Sequence, residues 1–503
     1  METLRSNIHA TMGSLSMYTG LLFGLMGIWV VALLFSFVGI LSFNPLAMIV
    51  SLAVLVVTTG MSSWLVGALF GVRSHGLSSF ITGFILAFLF TPTLSVAGLL
   101  ALAVVGLVAG ASKYIVAFRG RHMFNPAAFG AFFVSIVGLG SASWWVATPP
   151  LTLFVIAVGA IAVYRSKQYA LVGTFLVVSI SLLLVYFMAN GLAFTDSAVL
   201  LLSWPVFFFA GIMLTEPLTL PSKQWHLYAE AVLVAVLFAV PISIGTFETS
   251  PIIALLVGNL FAAIVSNRRK VLLKFVKRRR LTPTVDELIF KSAHPVSFQP
   301  GQYMELSLPL RRQDLRGERR MFSITSVPNT NEVTFGVKYS IPSSAFKEAL
   351  RSLKPRDAVS VATISGDFVL PRDTSQKIVL VAGGIGVTPF ISQLKTYVAQ
   401  EQARDIVLIY AVRSMSELAY RDELERLGVA VIVVSPDVPK KFPKQWRHIT
   451  AARLDEKIIA SAVTDIKNRH AYVSGSPTFV QTLRRDLKRA GVRTVRTDSF
   501  VGY

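Results

Sequence analysis

Two patterns of apolar and polar positions divide the chain. Up to about residue 267 the sequence is a succession of apolar runs, near 18–41, 45–70, 78–92, 94–111, 125–140, 147–164, 169–189, 197–214, 227–245 and 251–267. Several approach the roughly 20 residues that cross a hydrocarbon layer as a helix, and two are visibly short. Beyond residue 281 the runs shorten and alternate, as in TVDELIFKS, QYMELSLPL, RMFSITSV, EVTFGVKYS and DAVSVATIS. Turns at Gly301, Pro328-Asn329 and Lys354-Pro355 separate them, with one helix-like insert, SSAFKEALRSL. Short strands so spaced predict a small antiparallel β-barrel. The next stretch, KIVLVAGGIGVTPFISQLKTYVA, reads strand, glycine turn, helix; DIVLIYAVRS and AVIVVSP read as strands, and AYVSGSPTFVQTLRRDLKRAG repeats strand, turn, helix. Strands alternating with helices predict a doubly wound sheet whose ligand lies beyond the strands' carboxyl ends. The predicted fold is multi-domain: a polytopic α-helical membrane domain of about ten spans (1–267), a basic juxtamembrane linker (268–282), a β-barrel domain (283–372) and an α/β nucleotide-binding domain (373–503).

Charge sharpens this division. The first 267 residues hold eight Lys/Arg and five Asp/Glu, against 40 and 22 in the remainder. Alternating the direction of successive spans gathers Arg5, Arg73, Lys113, Arg119, Arg121, Arg165, Lys167 and Lys223 on one side and leaves Asp196 and Glu248 on the other. By the positive-inside rule, this predicts a multi-pass protein of the inner (cytoplasmic) membrane with its N-terminus and polar half in the cytoplasm. The first run, long and followed by further spans, reads as a retained helix. The net charge of +21 then fits the lipid bilayer as partner, and no nucleic acid is called for. SNRRKVLLKFVKRRR (266–280) alternates cations with apolar residues and reads as a linker lying on the inner leaflet. With no cysteine among 503 residues, thiolate-held clusters are excluded within the chain, and no metal site is assigned.

Two apolar runs end in Thr/Pro-rich breaks, TGFILAFLFTPTL (82–94) and AGIMLTEPLTL (210–220). They fall in the third and eighth spans, an odd separation, so they cross in opposite directions as in two inverted five-helix repeats. A pair of Pro-terminated helices would look the same. A third break, RGRHMFNPAAFG (119–130), sets Arg121 and Asn125 at the start of a helix, suited to an anion such as a flavin phosphate or to a capped, positively anchored helix end. Glu230, a few residues into the ninth span near His226, reads either as a proton- or ion-handling group or as one close enough to the interface to be solvated.

SSFITGFILAFLFTPTLS, SKYIVAFRGRHMFNPAAFG and FFFAGIMLTEPLTLP together resemble the signature stretches of the RnfD/NqrB family, the flavin-bearing membrane subunits of ion-pumping NADH-linked complexes. The resemblance implies a ten-helix inverted repeat holding FMN or riboflavin, in some members through a phosphoester to Thr. Here Ala147-Thr148-Pro149 preserves part of that segment but lacks its Ser-Gly, which puts covalent attachment at Thr148 in doubt.

In the polar half, Arg320-Met321-Phe322-Ser323 supplies a cation, a ring and a hydroxyl, with Arg320 and Phe322 on one face of a strand. An edge strand in a basic stretch has the same composition. Gly383-Gly384-Ile385-Gly386-Val387-Thr388-Pro389 follows a strand and opens a helix, where glycines admit a dinucleotide pyrophosphate. Residues 283–503 resemble the ferredoxin-NADP reductase superfamily, an FAD-binding β-barrel followed by an NAD(P)-binding domain. The resemblance implies that Arg320 binds the FAD pyrophosphate, Phe322 packs on the flavin and Ser323 lies near its N5. Ser343 and Ser344 correspond to a second phosphate turn; Gly383, Gly384, Gly386, Thr388, Pro389 and Gly475 to the nicotinamide-domain fingerprint; Ser474 to a catalytic position by the nicotinamide; and Tyr503 to the terminal aromatic. Arg413, Ser414 and Arg421 leave NADH and NADPH undecided.

The leading expectation is a flavoenzyme that oxidises NAD(P)H through FAD and passes electrons to a flavin or quinone in the membrane domain. A haem-bearing transmembrane reductase needs paired axial ligands, yet only His9, His75, His122 and His226 precede the linker, all near span ends. An inverted-repeat transporter regulated by a nucleotide is the remaining alternative.

Overall fold

The computed structural model describes residues 17–71, 76–118, 121–221, 223–244, 247–265, 271–308, 310, 318–340, 343–401, 404–438 and 442–500. The chain divides into two compact units, 1–270 and 271–503.

The first unit is helical, and its series of elements occurs twice. Two helices (α1, Met17–Phe37; α2, Pro45–Leu69) precede a short one (α3, Gly76–Leu89), a long one (α4, Val96–Ile115), a two-residue hairpin (β1, Ala117–Phe118; β2, Arg121–His122) and a short helix (α5, Pro126–Ile136). The second series runs α6 (Pro149–Ser166), α7 (Tyr169–Ala189), a bent pair (α8, Phe194–Leu201; α9, Val206–Phe208, continuing through a π-turn over Phe209–Met213), α10 (Gln224–Ala239), a hairpin (β3, Ser243–Ile244; β4, Phe247–Glu248) and α11 (Pro251–Val265). Among the described residues five helices (α1, α2, α4, α6 and α7) are long and apolar enough to cross a membrane, or six with the pair bent by 48°. The other apolar helices are shorter, α3, α5, α10 and α11.

Local chemistry sets the ends of these helices. Asn44 caps α2 by accepting from the Leu46 N–H at 2.8 Å, and Asn125 caps α5 by accepting from that of Ala128 at 3.1 Å. In both, proline follows the cap, where its missing N–H costs nothing. Small residues let helices touch through backbone. A Cβ on Gly211, in the π-turn, would lie 2.7 Å from the Gly159 Cα of α6, and one on Gly83 would lie 2.9 Å from the Val56 Cα of α2. The bent pair is thereby held against α6 where its turn has an extra residue.

The second unit contains two six-stranded sheets. The first is antiparallel, in the order β8-β7-β10-β5-β6-β9, from β5 (Val271–Thr282), β6 (Val285–Val296), β7 (Tyr303–Ser307), β8 (Arg319–Ser323), β9 (Thr330–Lys338) and β10 (Ala358–Ser365), with α12 (Ala345–Arg351) between β9 and β10. Immediately after β8, Ile324 bridges to Phe335 of β9, and the Thr325 N–H donates to the Thr334 carbonyl at 2.9 Å. These contacts link the two edges of the sheet.

Strand β5 corrects the sequence reading. The stretch 271–282, read from its cations as part of a linker on lipid, is the first strand of this sheet. Leu273 and Phe275 are buried in its core beside Leu288, Phe290 and Phe335, so their alternation with Lys274 is the period of a half-buried strand. Each such burial contributes about 1.5–3 kcal/mol.

The second sheet is parallel, in the order β14-β13-β12-β11-β15-β16. It comprises β11 (Ile378–Gly383), β12 (Ile406–Ala411), β13 (Ala430–Ser435), β14 (Arg447–Thr450), β15 (His470–Gly475) and β16 (Val495–Ser499), with α13 (Thr388–Ala399), α14 (Arg421–Arg426), α15 (Glu456–Ala462) and α16 (Pro477–Arg489) as its helices. Strand β11, apolar and buried on both faces, lies at its centre. The edge strands β14 and β16 were not foreseen, since RHIT and VRTDS lack an apolar face.

Candidate functional site

In the antiparallel sheet, β8 pairs with β7 so that Arg320 lies opposite Leu306 and Phe322 opposite Met304. Both side chains meet the same ring. The Arg320 guanidinium lies 5.3 Å from the Phe346 centroid, and Phe322 stacks on Phe346 at 6.1 Å and 26°. Phe346, on α12, is the platform that sequence reasoning missed; its signal was a single aromatic beside Ser343-Ser344. Arg320 is buried and donates to the Arg319 carbonyl at 2.8 Å.

Two hydroxyls border this corner buried and without a hydrogen-bond partner, Ser323 on β8 and Ser343 before α12, and a third, Tyr339 after β9, is likewise unpartnered at the far end of α12. Arg351 lies over the Tyr339 ring at 4.5 Å, and burial pushes the phenol up to about 12, so it remains a donor at neutral pH. Ser344 differs, since its hydroxyl caps α12 by accepting from the Lys347 N–H at 3.3 Å. Leaving buried hydroxyls unpaired costs about 1–3 kcal/mol each, which a ligand with matching groups would recover.

The glycine turn lies at the carboxyl end of β11. Gly383 and Gly386 serve close packing within the chain. A Cβ on Gly383 would lie 2.8 Å from the Phe479 ring, and one on Gly386 would fall on the Ser474 carbonyl. Gly384, at φ +54°, has open space where a Cβ would be, so its backbone is the one presented outward. Thr388 and Pro389 open α13, Thr388 donating to the Ile385 carbonyl at 3.0 Å. Ser474 and Gly475 end the neighbouring β15, with Ser474 opposite Ala382. The Ser474 hydroxyl is wholly buried and has no partner. The Phe500 N–H donates to the Gly475 carbonyl at 2.8 Å, which carries the C-terminal chain along this edge; Tyr503 lies outside the described residues.

The two strand ends are tied together. Ser392 of α13 donates to the Ser326 carbonyl at 2.7 Å, three residues beyond Ser323. A Cβ on Gly336 of β9 would lie 2.7 Å from the Thr388 Cγ2. Arg279 spans the same seam, reaching Glu287 at 2.7 Å and Glu423 at 3.0 Å, and Lys395 reaches Glu423 at 3.3 Å. Burial pulls the Glu423 carboxyl up, but Lys395 and Arg279 outweigh it and hold it below the usual carboxylate range.

In the helical unit, the three motif stretches converge. A small cavity of about 40 Å³, partly open to the surface, is lined by Ser78 and Thr82 of α3, Asn125 and Pro126 at the start of α5, and Thr215 and Glu216 beyond the π-turn, with Tyr18 of α1. His122 and Glu216 share a hydrogen bond of 2.9 Å, leaving Glu216 Oε2 buried without a partner. Lys113 donates to Ser78 at 3.1 Å. The N–H of Asn125 donates to Asn259 Oδ1 at 2.8 Å, while its side chain caps α5 and reaches the Met213 carbonyl at 3.5 Å. That side chain is thus committed to the fold, and the side chain of Arg121 lies outside the described residues.

Thr148 belongs elsewhere. It precedes α6 with its hydroxyl buried and unpartnered, and the preceding Ser143 and Trp145 bond the Leu89, Ala87 and Phe90 carbonyls. These lie at the opposite end of α3 from Ser78, and the 14 residues of α3 span roughly 20 Å, so Thr148 and Asn125 share no ligand.

An antiparallel sheet with a cation–aromatic corner is thus tied to a parallel sheet with a glycine turn at its carboxyl edge, an arrangement suited to holding a nucleotide. Comparison with known proteins agrees: residues 380–485 match the oxidoreductase NAD-binding domain family. The chain is similar to a flavohemoprotein of Bacillus subtilis (strain 168), 25% identical over 199 residues covering 39% of this chain and 49% of that protein. It is similar also to the toluate 1,2-dioxygenase electron transfer component of Pseudomonas putida, 28% identical over 225 residues covering 43% of this chain and 62% of that protein. The chain thus spans about half to three fifths of these relatives' length. Among solved structures, the flavohem-like FAD/NAD binding domain of nitric oxide dioxygenase from Vibrio cholerae O1 biovar El Tor aligns with 46% of this chain and 99% of its own, at 21% identity and a TM-score of 0.39.

Proposed function

We propose that the chain is a membrane-bound flavoprotein oxidoreductase that oxidises NAD(P)H through FAD and passes the electrons to a flavin or quinone held among its helices. The observation that carries the reading is the β8–α12 corner, where a buried arginine and a phenylalanine share one aromatic platform bordered by two hydroxyls without partners. In this reading the antiparallel sheet closes as an FAD-binding barrel, supported by the Ile324–Phe335 bridge. Arg320 holds the FAD phosphates, Phe322 and Phe346 pack against its ring system, and Ser323 donates to it. Bound FAD supplies hydride acceptance and one-electron release. Gly384 and Thr388 hold the dinucleotide, and the Ser474 hydroxyl donates at the nicotinamide end.

The helical unit is read as ten spans in an inverted RnfD/NqrB-like repeat, supported by its twice-occurring series of elements. Its acceptor, FMN, riboflavin or a quinone, binds beside Glu216 where the three motif stretches meet, the side chains around the small cavity there parting to admit it, and without a covalent link because the Thr148 hydroxyl is buried. The unit sits in the inner membrane, with the reductase module cytoplasmic. A haem alternative finds no support in the described histidines, since His122 bonds Glu216 and His226 packs against Trp225 and Phe261.

Two acceptors test the reading on the purified full chain. Ferricyanide takes electrons from the reductase module directly, whereas a quinone must draw them through the helices. NADH or NADPH should drive both reactions, and E216Q should lose quinone reduction while keeping ferricyanide reduction. Absence of released FAD together with no reduction of either acceptor overturns it.

A further inference from the structure

Glu230 is the most anomalous side chain in the helical unit. It lies on α10, fully buried, and neither carboxylate oxygen has a hydrogen-bond partner. Facing it is a glycine: a Cβ on Gly258 of α11 would lie 3.5 Å from Glu230 Oε1 and 3.6 Å from its Cγ. One turn earlier on α10, His226 is also buried, its Nδ1 unpartnered and its ring 6.3 Å from that of Phe261 on the same α11. Residues four apart share a helix face, so His226 and Glu230 line one α10–α11 seam.

Three features exclude the ordinary roles. Among the described residues no cation pairs with the carboxyl, so it does not serve there as half of an ion pair. No ring of oxygens surrounds it, as a metal ion would need; among the described residues no group of three or more His, Cys, Asp or Glu could hold one. It is not solvated either, in contrast to the sequence reading of a group near the interface. An ionised carboxylate stripped of water and donors is too costly to persist, whereas a neutral acid needs only its own proton. The elements packed against it supply no competing charge. Helix α11 carries no titratable residue, α7 carries only the exposed Tyr169 and Tyr186, and α10 itself adds exposed Tyr228.

We propose that Glu230 and His226 form a proton-binding site in the α10–α11 seam, with Glu230 holding the proton and His226 delivering it from the side on which α10 begins. In the loading step Glu230 is transiently ionised and a side-chain rotation or a bridging water closes the gap to His226; an N–H bond of the protonated imidazole then breaks and an O–H bond forms on Glu230, leaving both groups neutral. No electron moves. The residue after Gly258, Asn259, accepts from the Asn125 N–H in the cavity wall, so α11 touches both the site and that wall. Reduction of a quinone there by two electrons would consume two protons, a consequence that rests on the proposed function; the site itself does not.

Infrared difference spectroscopy of the full chain in lipid vesicles tests it without added nucleotide. At neutral pH the protein should show the carbonyl stretch of a protonated carboxylic acid, shifted in D2O, lost in E230Q and displaced but retained in E230D. His226→Phe should keep the band and slow its shift after transfer to D2O several-fold. Spectra of wild type and E230Q that coincide at neutral pH overturn the site. A band that exchanges at the wild-type rate in the His226→Phe variant overturns the assignment of His226. Retention of the band in E230D separates loss of the acid from loss of the fold.

Discussion

The two units treat buried charge in opposite ways. In the sheet unit, buried ionised groups are paired: Arg469 meets Asp405 and Asp465, each at 2.7 Å, and Arg279 joins Glu287 to Glu423. In the helical unit, Glu230 is buried with no partner at either oxygen. Pairing offsets desolvation and fixes geometry, so the paired groups hold the fold. Unpaired groups impose a cost that the fold alone does not recover, and they mark where a proton or ligand is handled. Buried neutral hydroxyls obey the same division. Thr325 and Thr334 bond each other at 2.7 Å across the sheet edge, while Ser323 and Ser474 wait unpaired at strand ends.

Four substitutions probe that contrast. The largest effect is expected for Arg469→Ala, which leaves Asp405 and Asp465 with Lys377 alone and takes a donor from the Ile378 carbonyl; that remaining cation and the partial exposure of the aspartates limit the loss to about 2–3 kcal/mol. Denaturant unfolding of the full chain in detergent measures it, and unchanged stability would break the assignment of paired groups to the fold. Arg320→Ala should weaken FAD binding by about 1.5–3 kcal/mol, roughly tenfold to a hundredfold, read by fluorescence titration of flavin-stripped protein.

Ser474→Ala separates the two kinds of buried polar group most cleanly. Removing a hydroxyl without a partner should leave stability unchanged or slightly raised, yet lower kcat/KM for NAD(P)H by about 0.5–1.5 kcal/mol in transition-state terms. A loss of stability with unchanged kinetics would make Ser474 structural.

The smallest effect concerns pH. Glu423 is held below its unfolded value by Lys395 and Arg279. Its contribution is therefore full above the unfolded value, about 4.3, and disappears as pH falls through the lower folded value. E423Q should flatten that acid limb of the stability curve by about 0.5 kcal/mol or less, the range of exposed pairs. A steeper acid limb in the variant contradicts the sign.

What the sequence disclosed follows from how locally each feature is encoded. Strands β6 to β10, β11 to β13 and β15 were legible because each carries its own alternation or apolar run, and the glycine turn because it lies within seven residues. Strand β5 was hidden by cations that outnumber Leu273 and Phe275, and only pairing with β6 and β10 reveals the buried face. The stretches around Ser78, Asn125 and Glu216 were each conspicuous, but their meeting in one cavity is a property of packed helices. Phe346 as a shared platform and Glu230 as a buried acid were invisible for the same reason, since neither depends on its sequence neighbours.

The central claim is that NAD(P)H delivers electrons to a flavin in this protein. Its most direct test is the absorption spectrum of the detergent-purified full chain, recorded anaerobically before and after NADH or NADPH. The account predicts oxidised flavin bands that bleach on addition of at least one of the two nucleotides. Split haem bands that sharpen on reduction, or a spectrum with no cofactor absorption, would contradict it.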